Sequence, residues 1–232
     1  MLRASARCAD RVGLVMLGQS PSSSELEALD REGYLVVPDA LDATFVQRLR
    51  RAFDEAPAQS SGTQHVAIVP ETPERDAWRA LSRHPALAAA ALRVLGPTFH
   101  ARDVHGRNPL PGFGQQGLHA DWPARAADGG YVVLTAIWML DDFTRDNGAT
   151  RVVPRTHLLT RAIPKALGQP LVRHPEERTI TGRAGTLLAF NGHLWHSGQK
   201  NESGAPRRAV QMVVQRGGEE ARTPSSFGEA QG

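Results

Sequence analysis

Two residues of types that often bind metals stand one position apart in the stretch Gly-Leu-His-Ala-Asp-Trp-Pro, residues 117–123. Side chains alternate between the faces of a β-strand, so His119 and Asp121 would point one way and Ala120 the other. An imidazole and a carboxylate suit a divalent transition metal, and a third ligand from a distant strand would complete one triangular face of an octahedron. The pair alone is equally compatible with a polar strand end, so this hypothesis needs a third ligand elsewhere.

Residues 192–210 supply candidates for that third ligand and for an anion-binding group. His193 and His196 are three positions apart, so in a regular strand they face opposite ways and only one can join the pair. Arg207 and Arg208 are adjacent and also face opposite ways. The residues by themselves leave open which histidine and which arginine would belong to the site.

Helical patterns occupy the first part of the chain. Ser24 is a candidate cap for a short helix that Gly33 ends. Apolar residues recur at helical spacing in the segment 42–56, and an Ala- and Leu-rich helix is predicted over 76–96, stopped by Gly96-Pro97. Between the first two helices, residues 34–39 read as a short strand. These helices would lie ahead of the candidate site residues.

After residue 98 the pattern changes to short apolar runs separated by Gly, Pro and Asn clusters. We predict strands within 98–105, 117–121, 131–140, 150–154, 178–182, 185–191, 194–199 and 208–216. This number of short strands is typical of a double-sheet jelly roll. The predicted fold class is therefore mainly β with flanking helices (α+β), a cupin-like double-stranded β-helix with the N-terminal helices packed on one sheet.

Composition narrows the function classes. Hydrophobic residues make up 41% of the 232 residues and charged residues 22%, as expected for one globular domain. A net charge of +3 without a basic run argues against nucleic-acid binding, and no segment is apolar enough to predict membrane insertion. The single Cys8 gives no reason to expect disulfides, so the cytoplasm is expected. We predict a flexible extension at 1–22, one domain at 23–216 and a polar, mobile tail at 217–232. The oligomeric state is left open.

Three stretches together resemble the phytanoyl-CoA dioxygenase family of Fe(II)/2-oxoglutarate-dependent oxygenases. They are His119-x-Asp121, the segment LDDFTRDNGATRVVPRTH at 140–157, and the segment HSGQKNESGAPR at 196–207. The resemblance extends from about residue 23 to residue 216. One turn departs from the family pattern, because Arg155 and Thr156 stand where glycine and serine are usual.

The resemblance implies a set of roles. His119, Asp121 and His196 would bind Fe(II), and Arg207 would hold the distal carboxylate of 2-oxoglutarate. His196 is preferred over His193 because Asn201 and Arg207 follow it at the family's spacing. The implied reaction uses O2 to hydroxylate a small-molecule substrate and releases succinate and CO2. Hydroxylation is favoured over halogenation, since halide-transferring relatives have a small residue in place of the aspartate.

Arg207 is also preferred over Arg208 on the character of the two strand faces. Val210, Met212 and Val214 share the face of Arg208, whereas Ala209, Gln211 and Val213 share the face of Arg207. The more apolar face suits packing against the helices, and a barrel interior that holds a charged cosubstrate should be small and polar. The planar fork of arginine binds a carboxylate through two parallel hydrogen bonds.

Further contacts are predicted for three residues near the His-Asp pair. Asn108 and Gln116, in the Gly- and Pro-rich loop 106–116, are candidates to contact cosubstrate or substrate, and so is Trp122. A loop of this composition can act as a lid. The sequence does not identify the substrate.

Two other functions remain open. One is a cupin-like zinc or nickel hydrolase or isomerase that activates water without redox chemistry. The other is a sensor that binds metal and 2-oxoglutarate without turnover.

Overall fold

The computed structural model describes residues 18, 20–56, 58–67, 75–123 and 130–217. Nearly all of the predicted extension at 1–22 and of the predicted tail at 217–232 lies outside these residues. The division into domains therefore stays a prediction. No helix in the described part of the chain is long and apolar enough to cross a membrane.

Four helices precede the barrel: α1 (Ser23–Glu32), α2 (Ala43–Glu55), α3 (Arg75–Ser82) and α4 (Pro85–Leu95). Ser22, rather than the predicted Ser24, caps α1 and forms a capping box with Glu25. The single helix predicted over 76–96 is two helices, because Pro85 lacks an N–H and disfavours helical backbone in the residue before it. His84 instead caps α4, its Nδ1 accepting from the Ala86 N–H at 3.1 Å.

The strands are β1 (Tyr34–Val37), β2 (Ala58–Ser60), β3 (Thr63–Ala67), β4 (Phe99–Pro109), β5 (Val133–Met139), β6 (Thr150–Val152), β7 (Arg178–Ile180), β8 (Leu187–Asn191), β9 (His196–Gly198) and β10 (Ala209–Arg216). The major sheet has the order β1-β8-β5-β10-β4-β3-β2, and the minor sheet has the order β7-β6-β9. All neighbours are antiparallel. The α+β fold class with two sheets is confirmed, whereas the β2-β3 hairpin was not predicted.

Two apolar clusters show how the layers pack. The larger one joins the helices to one face of the major sheet and includes Trp138, Leu187, Val210 and Met212. The smaller one lies between the sheets, where Met139, Leu188 and Phe190 of the major sheet meet Val152 and Ile180 of the minor sheet. As expected, the face of β10 that carries Val210, Met212 and Val214 packs toward the helices.

The turn that departs from the family pattern keeps a backbone suited to glycine. Arg155 has φ 68°, in the left-handed region that non-glycine residues rarely adopt. The hydroxyl of Thr156 donates to the Val153 carbonyl at 2.7 Å and accepts from the Trp195 N–H at 2.9 Å. Thr156 therefore ties this turn to the segment that leads into β9.

We predict that Arg155→Gly increases the free energy of unfolding by up to about 1 kcal/mol. Left-handed backbone costs a non-glycine residue roughly 1–2 kcal/mol, and the greater freedom of glycine in the unfolded chain offsets part of the gain. Urea denaturation measures the change. Arg155→Ala is the control: it keeps the strained backbone and should give no gain. Destabilisation by the glycine variant would contradict the left-handed turn.

Candidate metal centre

Two backbone hydrogen bonds place His119 beside His196. The His119 N–H donates to the His196 carbonyl at 2.9 Å, and the His196 N–H donates to the His119 carbonyl at 2.9 Å. The remainder of the predicted strand 117–121 is irregular, and this bridge is its point of attachment to β9. Because directly opposed residues of an antiparallel pair point to the same side, the imidazole centroids lie 4.3 Å apart.

Each imidazole is oriented by a backbone carbonyl. Nδ1 of His119 lies 3.0 Å from the Gly117 carbonyl, and Nδ1 of His196 lies 2.9 Å from the Leu194 carbonyl. A carbonyl can only accept, so both Nδ1 atoms donate and both Nε2 atoms carry the lone pair when the rings are neutral. This arrangement fixes the tautomer that a metal site needs.

Asp121 completes the group. Its Oδ2 accepts from the Thr135 hydroxyl at 2.5 Å, and its Oδ1 lies 3.4 Å from Nε2 of His196. One ligand atom from each of the three residues lies within 4.8 Å of the others, and no other group of three or more His, Cys, Asp or Glu residues in the described part of the chain does so. Since metal bonds to nitrogen and oxygen are about 2.0–2.2 Å long, one ion can contact all three.

The electrostatic surroundings of the three residues favour side chains that can bind a metal ion. Burial, reinforced by the neighbouring charge of His196, lowers the pKa of His119 to about 4, so this ring is neutral. Burial disfavours the charged form of Asp121, but attraction to His196 and hydrogen bonds from His196 and Thr135 hold the pKa of this carboxyl below its usual range. Burial also disfavours charged His196, yet Asp121 raises its pKa. A bound cation would replace that proton as the partner of Asp121.

Arg207 is buried between the two sheets, against Phe143 of the smaller apolar cluster. Its guanidinium carbon lies 4.6 Å from the Phe143 ring centroid, and its buried Nε has no hydrogen-bond partner among the described residues. Among the described residues, no carboxylate oxygen lies within 4.0 Å of its guanidinium. Burial, with the charge of Arg107, lowers its pKa to about 9. A buried guanidinium that no described carboxylate neutralises is suited to bind an anion.

The guanidinium of Arg208 has different surroundings from that of Arg207. Its Nε and Nη2 donate to the two carboxylate oxygens of Asp141, each at 2.9 Å, and its Nη1 donates to Asp54 at 2.6 Å. Carboxylates of the protein therefore already satisfy Arg208. The adjacent arginines point to different surroundings, as the alternation of side chains predicts.

Arg107 is a site residue that the sequence reasoning missed. Its Nη1 donates to Oε1 of Gln211 at 3.2 Å, and its charge contributes to lowering the pKa of both His119 and His196. The predicted loop begins at residue 106, whereas β4 continues to Pro109. Extending the predicted strand by four residues would have revealed that Arg107 faces the barrel interior with Gln211.

Two of the three residues predicted to contact cosubstrate or substrate form hydrogen bonds with neighbouring parts of the barrel. Oδ1 of Asn108 accepts from the Arg207 N–H at 3.0 Å, and its Nδ2 donates to Gln64. Oε1 of Gln116 accepts from the Gly198 N–H at 3.0 Å, which ties the loop to β9. Contacts of Asn108 and Gln116 with cosubstrate or substrate stay predictions.

Trp122 lines a cavity of about 270 Å³ beside the metal-binding group. Asp121, Arg161, Ile163 and Trp195 also line this cavity. Contact between Trp122 and substrate stays a prediction, and this position is compatible with it.

His193 is not part of the metal-binding group. It was expected at the surface, but only 5% of it is exposed, and its ring packs 5.7 Å from the ring of Tyr131. The expected surface position is wrong because the turn after β8 folds inward: the His193 N–H donates to Oδ1 of Asn191 at 3.0 Å.

Comparison with protein-family models shows to which family this chain is similar. The model described as "Phytanoyl-CoA dioxygenase (PhyH)" matches residues 29–209. The chain belongs to the phytanoyl-CoA dioxygenase family. Among similar proteins, Rv1501 of Mycobacterium tuberculosis is 28% identical over 201 residues, covering 79% of this chain and 71% of its own. The dioxygenase cdmA of Talaromyces verruculosus is 26% identical over 220 residues, covering 82% and 71%.

Solved structures share the fold of this phytanoyl-CoA dioxygenase family member. HygX from Streptomyces hygroscopicus, with nickel and 2-oxoglutarate bound, superposes with a TM-score of 0.74 at 16% identity and covers 90% of this chain and 95% of its own. The epimerase SnoN, in complex with Fe3+, alpha ketoglutarate and nogalamycin RO, gives a TM-score of 0.65 at 23% identity and covers 83% and 82%. The predicted cofactors, iron and 2-oxoglutarate, are thus bound by proteins of the same fold.

We predict that His196→Ala and His193→Ala differ sharply in metal binding. Loss of His196 removes a ligand, so affinity for Mn(II) or Fe(II) should fall by more than the roughly 10–100-fold that loss of a supporting hydrogen bond costs. His193→Ala should retain affinity close to that of the unmodified protein. Anaerobic calorimetry measures both, with circular dichroism to confirm folding. Equal losses in the two variants would contradict the assignment of His196.

Proposed function

We propose that this protein is an Fe(II)/2-oxoglutarate-dependent dioxygenase that hydroxylates a small-molecule substrate and releases succinate and CO2. The observation that carries the proposal is the convergence of His119, Asp121 and His196 in a barrel whose interior also holds the buried Arg207. Two imidazoles and one carboxylate on one side of an ion are the ligand set of non-haem iron oxygenases. Family membership supports the same assignment.

The ligand residues have three tasks in this proposal. His119 and His196 would present Nε2 to Fe(II), and Asp121 would present Oδ1 while Thr135 holds its Oδ2. Because all three ligands come from one side, positions remain for cosubstrate and O2. When bound, Fe(II) and 2-oxoglutarate supply the oxidising chemistry through decarboxylation to succinate. The Phe190 ring, 4.5 Å from that of His196, helps to exclude water.

Arg207 would orient the cosubstrate. Its guanidinium can bind the distal carboxylate through parallel hydrogen bonds, and stacking on Phe143 limits its rotation. The hydrogen bond from its backbone N–H to Asn108 fixes the start of the side chain. The anion would in turn compensate a guanidinium that the protein leaves without a carboxylate.

Hydroxylation is one of several outcomes that this fold supports. The neighbours include SnoN, an epimerase, and SnoK, a carbocyclase. Asp121 favours hydroxylation over halogenation, because it occupies the position where a small residue would leave room for a halide. The mass of the product distinguishes the outcomes: hydroxylation adds one oxygen atom, epimerisation leaves the mass unchanged, and ring closure removes two hydrogen atoms.

The proposal is tested by anaerobic titration with Fe(II) and then 2-oxoglutarate. A visible charge-transfer band should appear only when both are present, and a screen of small molecules in air should then find one that increases succinate release. Absence of the band would contradict the proposal. Turnover with Zn(II) or Ni(II) and without 2-oxoglutarate would instead identify the cupin-like hydrolase or isomerase. A band without succinate release under any condition would favour the sensor.

We predict that Arg207→Gln weakens 2-oxoglutarate binding by roughly 30-fold or more. Removing one member of a buried charge pair costs about 2–5 kcal/mol. Titration of the charge-transfer band, or calorimetry with Mn(II), measures the change.

Arg208→Gln is the matched control. It removes the same charge one residue away, and it should lower stability through Asp141 while leaving 2-oxoglutarate affinity within about threefold. A larger loss of affinity in Arg208→Gln than in Arg207→Gln would reverse the assignment.

A further inference from the structure

Strands β4 and β3, which are neighbours in the major sheet, carry a basic cluster. Arg107 pairs in register with His65 of β3, and the rings of His65 and His105 lie 6.3 Å apart. The opposite face packs on α2, since a Cβ on Gly106 would lie 2.5 Å from the Phe53 ring and Val66 is fully buried. His65, His105 and Arg107 therefore face the side of the sheet that carries the metal centre.

A neutral amide, rather than a carboxylate, holds Arg107. Its Nη1 donates to Oε1 of Gln211, and its buried Nε has no hydrogen-bond partner among the described residues. Asp103, on the same face, contacts His105 at 3.2 Å instead. In the described part of the chain, no carboxylate oxygen lies within 4.0 Å of the Arg107 guanidinium.

The charges of the proposed loaded centre leave one positive charge in excess. Fe(II), Arg107 and Arg207 carry four positive charges, whereas 2-oxoglutarate and Asp121 carry three negative charges. Arg107 is the arginine whose charge interacts with Asp121, His119 and His196, so it lies beside the centre. A partly buried charge without a partner is costly, and a guanidinium fork is well matched to a carboxylate.

We infer that the substrate carries a carboxylate that binds Arg107, with His65 and His105 at its sides. The inference rests on the proposed function, because it assigns Arg207 to 2-oxoglutarate. Arg107 suits the substrate better than the cosubstrate because Arg107 is partly exposed and pairs with the exposed His65, whereas Arg207 is only 8% exposed. Arg107 would thus select the substrate and hold its reactive carbon toward the metal.

The test uses protein loaded with Ni(II) and 2-oxoglutarate, and a probe panel of carboxylic acids from benzoate upward, each paired with its primary amide. Thermal stability and calorimetry measure binding without turnover. At least one acid should bind roughly tenfold or more tightly than its amide, and Arg107→Gln should abolish that difference. Arg183→Gln, which removes an exposed charge elsewhere, should preserve it.

Two results would overturn the inference. One is a panel in which no acid binds better than its amide. The other is a tenfold or greater loss of 2-oxoglutarate affinity in Arg107→Gln without any acid present, which would assign Arg107 to the cosubstrate. The Fe(II)/2-oxoglutarate charge-transfer band of the unmodified protein is recorded separately, so failure of the proposed function is distinguished from failure of this inference.

Discussion

The reciprocal backbone hydrogen bonds between His119 and His196 are the constraint on which the site depends. A slip of one residue would turn either imidazole to the opposite face, because side chains alternate along a strand. The segment before His119 is irregular and needs outside support. Arg151 supplies it: the Arg151 side chain is almost fully buried, donating to the Gln116 carbonyl at 3.1 Å and pairing with Glu177 at 3.1 Å. Gly117 fits there because a Cβ would collide with the Gly168 carbonyl. The candidate metal ligands thus depend on a buried ion pair that does not belong to the site.

The alternation of side chains also explains why Arg207 and Arg208 point to different surroundings. Arg208 points to Asp141 and Asp54 and contributes to the attachment of the barrel to α2, while Arg207 points to Phe143 and remains available for an anion. Arg107 reaches the same interior from β4 and is held by Gln211. Two guanidinium groups in one interior, neither paired with a carboxylate of the described residues, make this interior attractive to anions. This property, more than the shape of any one cavity, supports the choice of a dicarboxylate cosubstrate.

Much of this arrangement could be predicted from local sequence. Strand periodicity identified the pair of His119 and Asp121, separated Arg207 from Arg208 and located most strands of both sheets. What it could not give was long-range pairing. The β2-β3 hairpin is short and polar, so its sequence pattern resembles a loop. Pro109 made the last residues of β4 resemble a loop as well, so Arg107 was not assigned to the strand. The contact between Asn108 and the Arg207 N–H joins residues 99 positions apart, so local sequence could not predict it.

The most direct test of the central claim is a crystal soaked with Mn(II) and measured for anomalous scattering. The account predicts one strong peak about 2.0–2.2 Å from Nε2 of His119, Nε2 of His196 and a carboxylate oxygen of Asp121. A peak bound elsewhere, or coordinates in which the two imidazoles point to different ions, would contradict it.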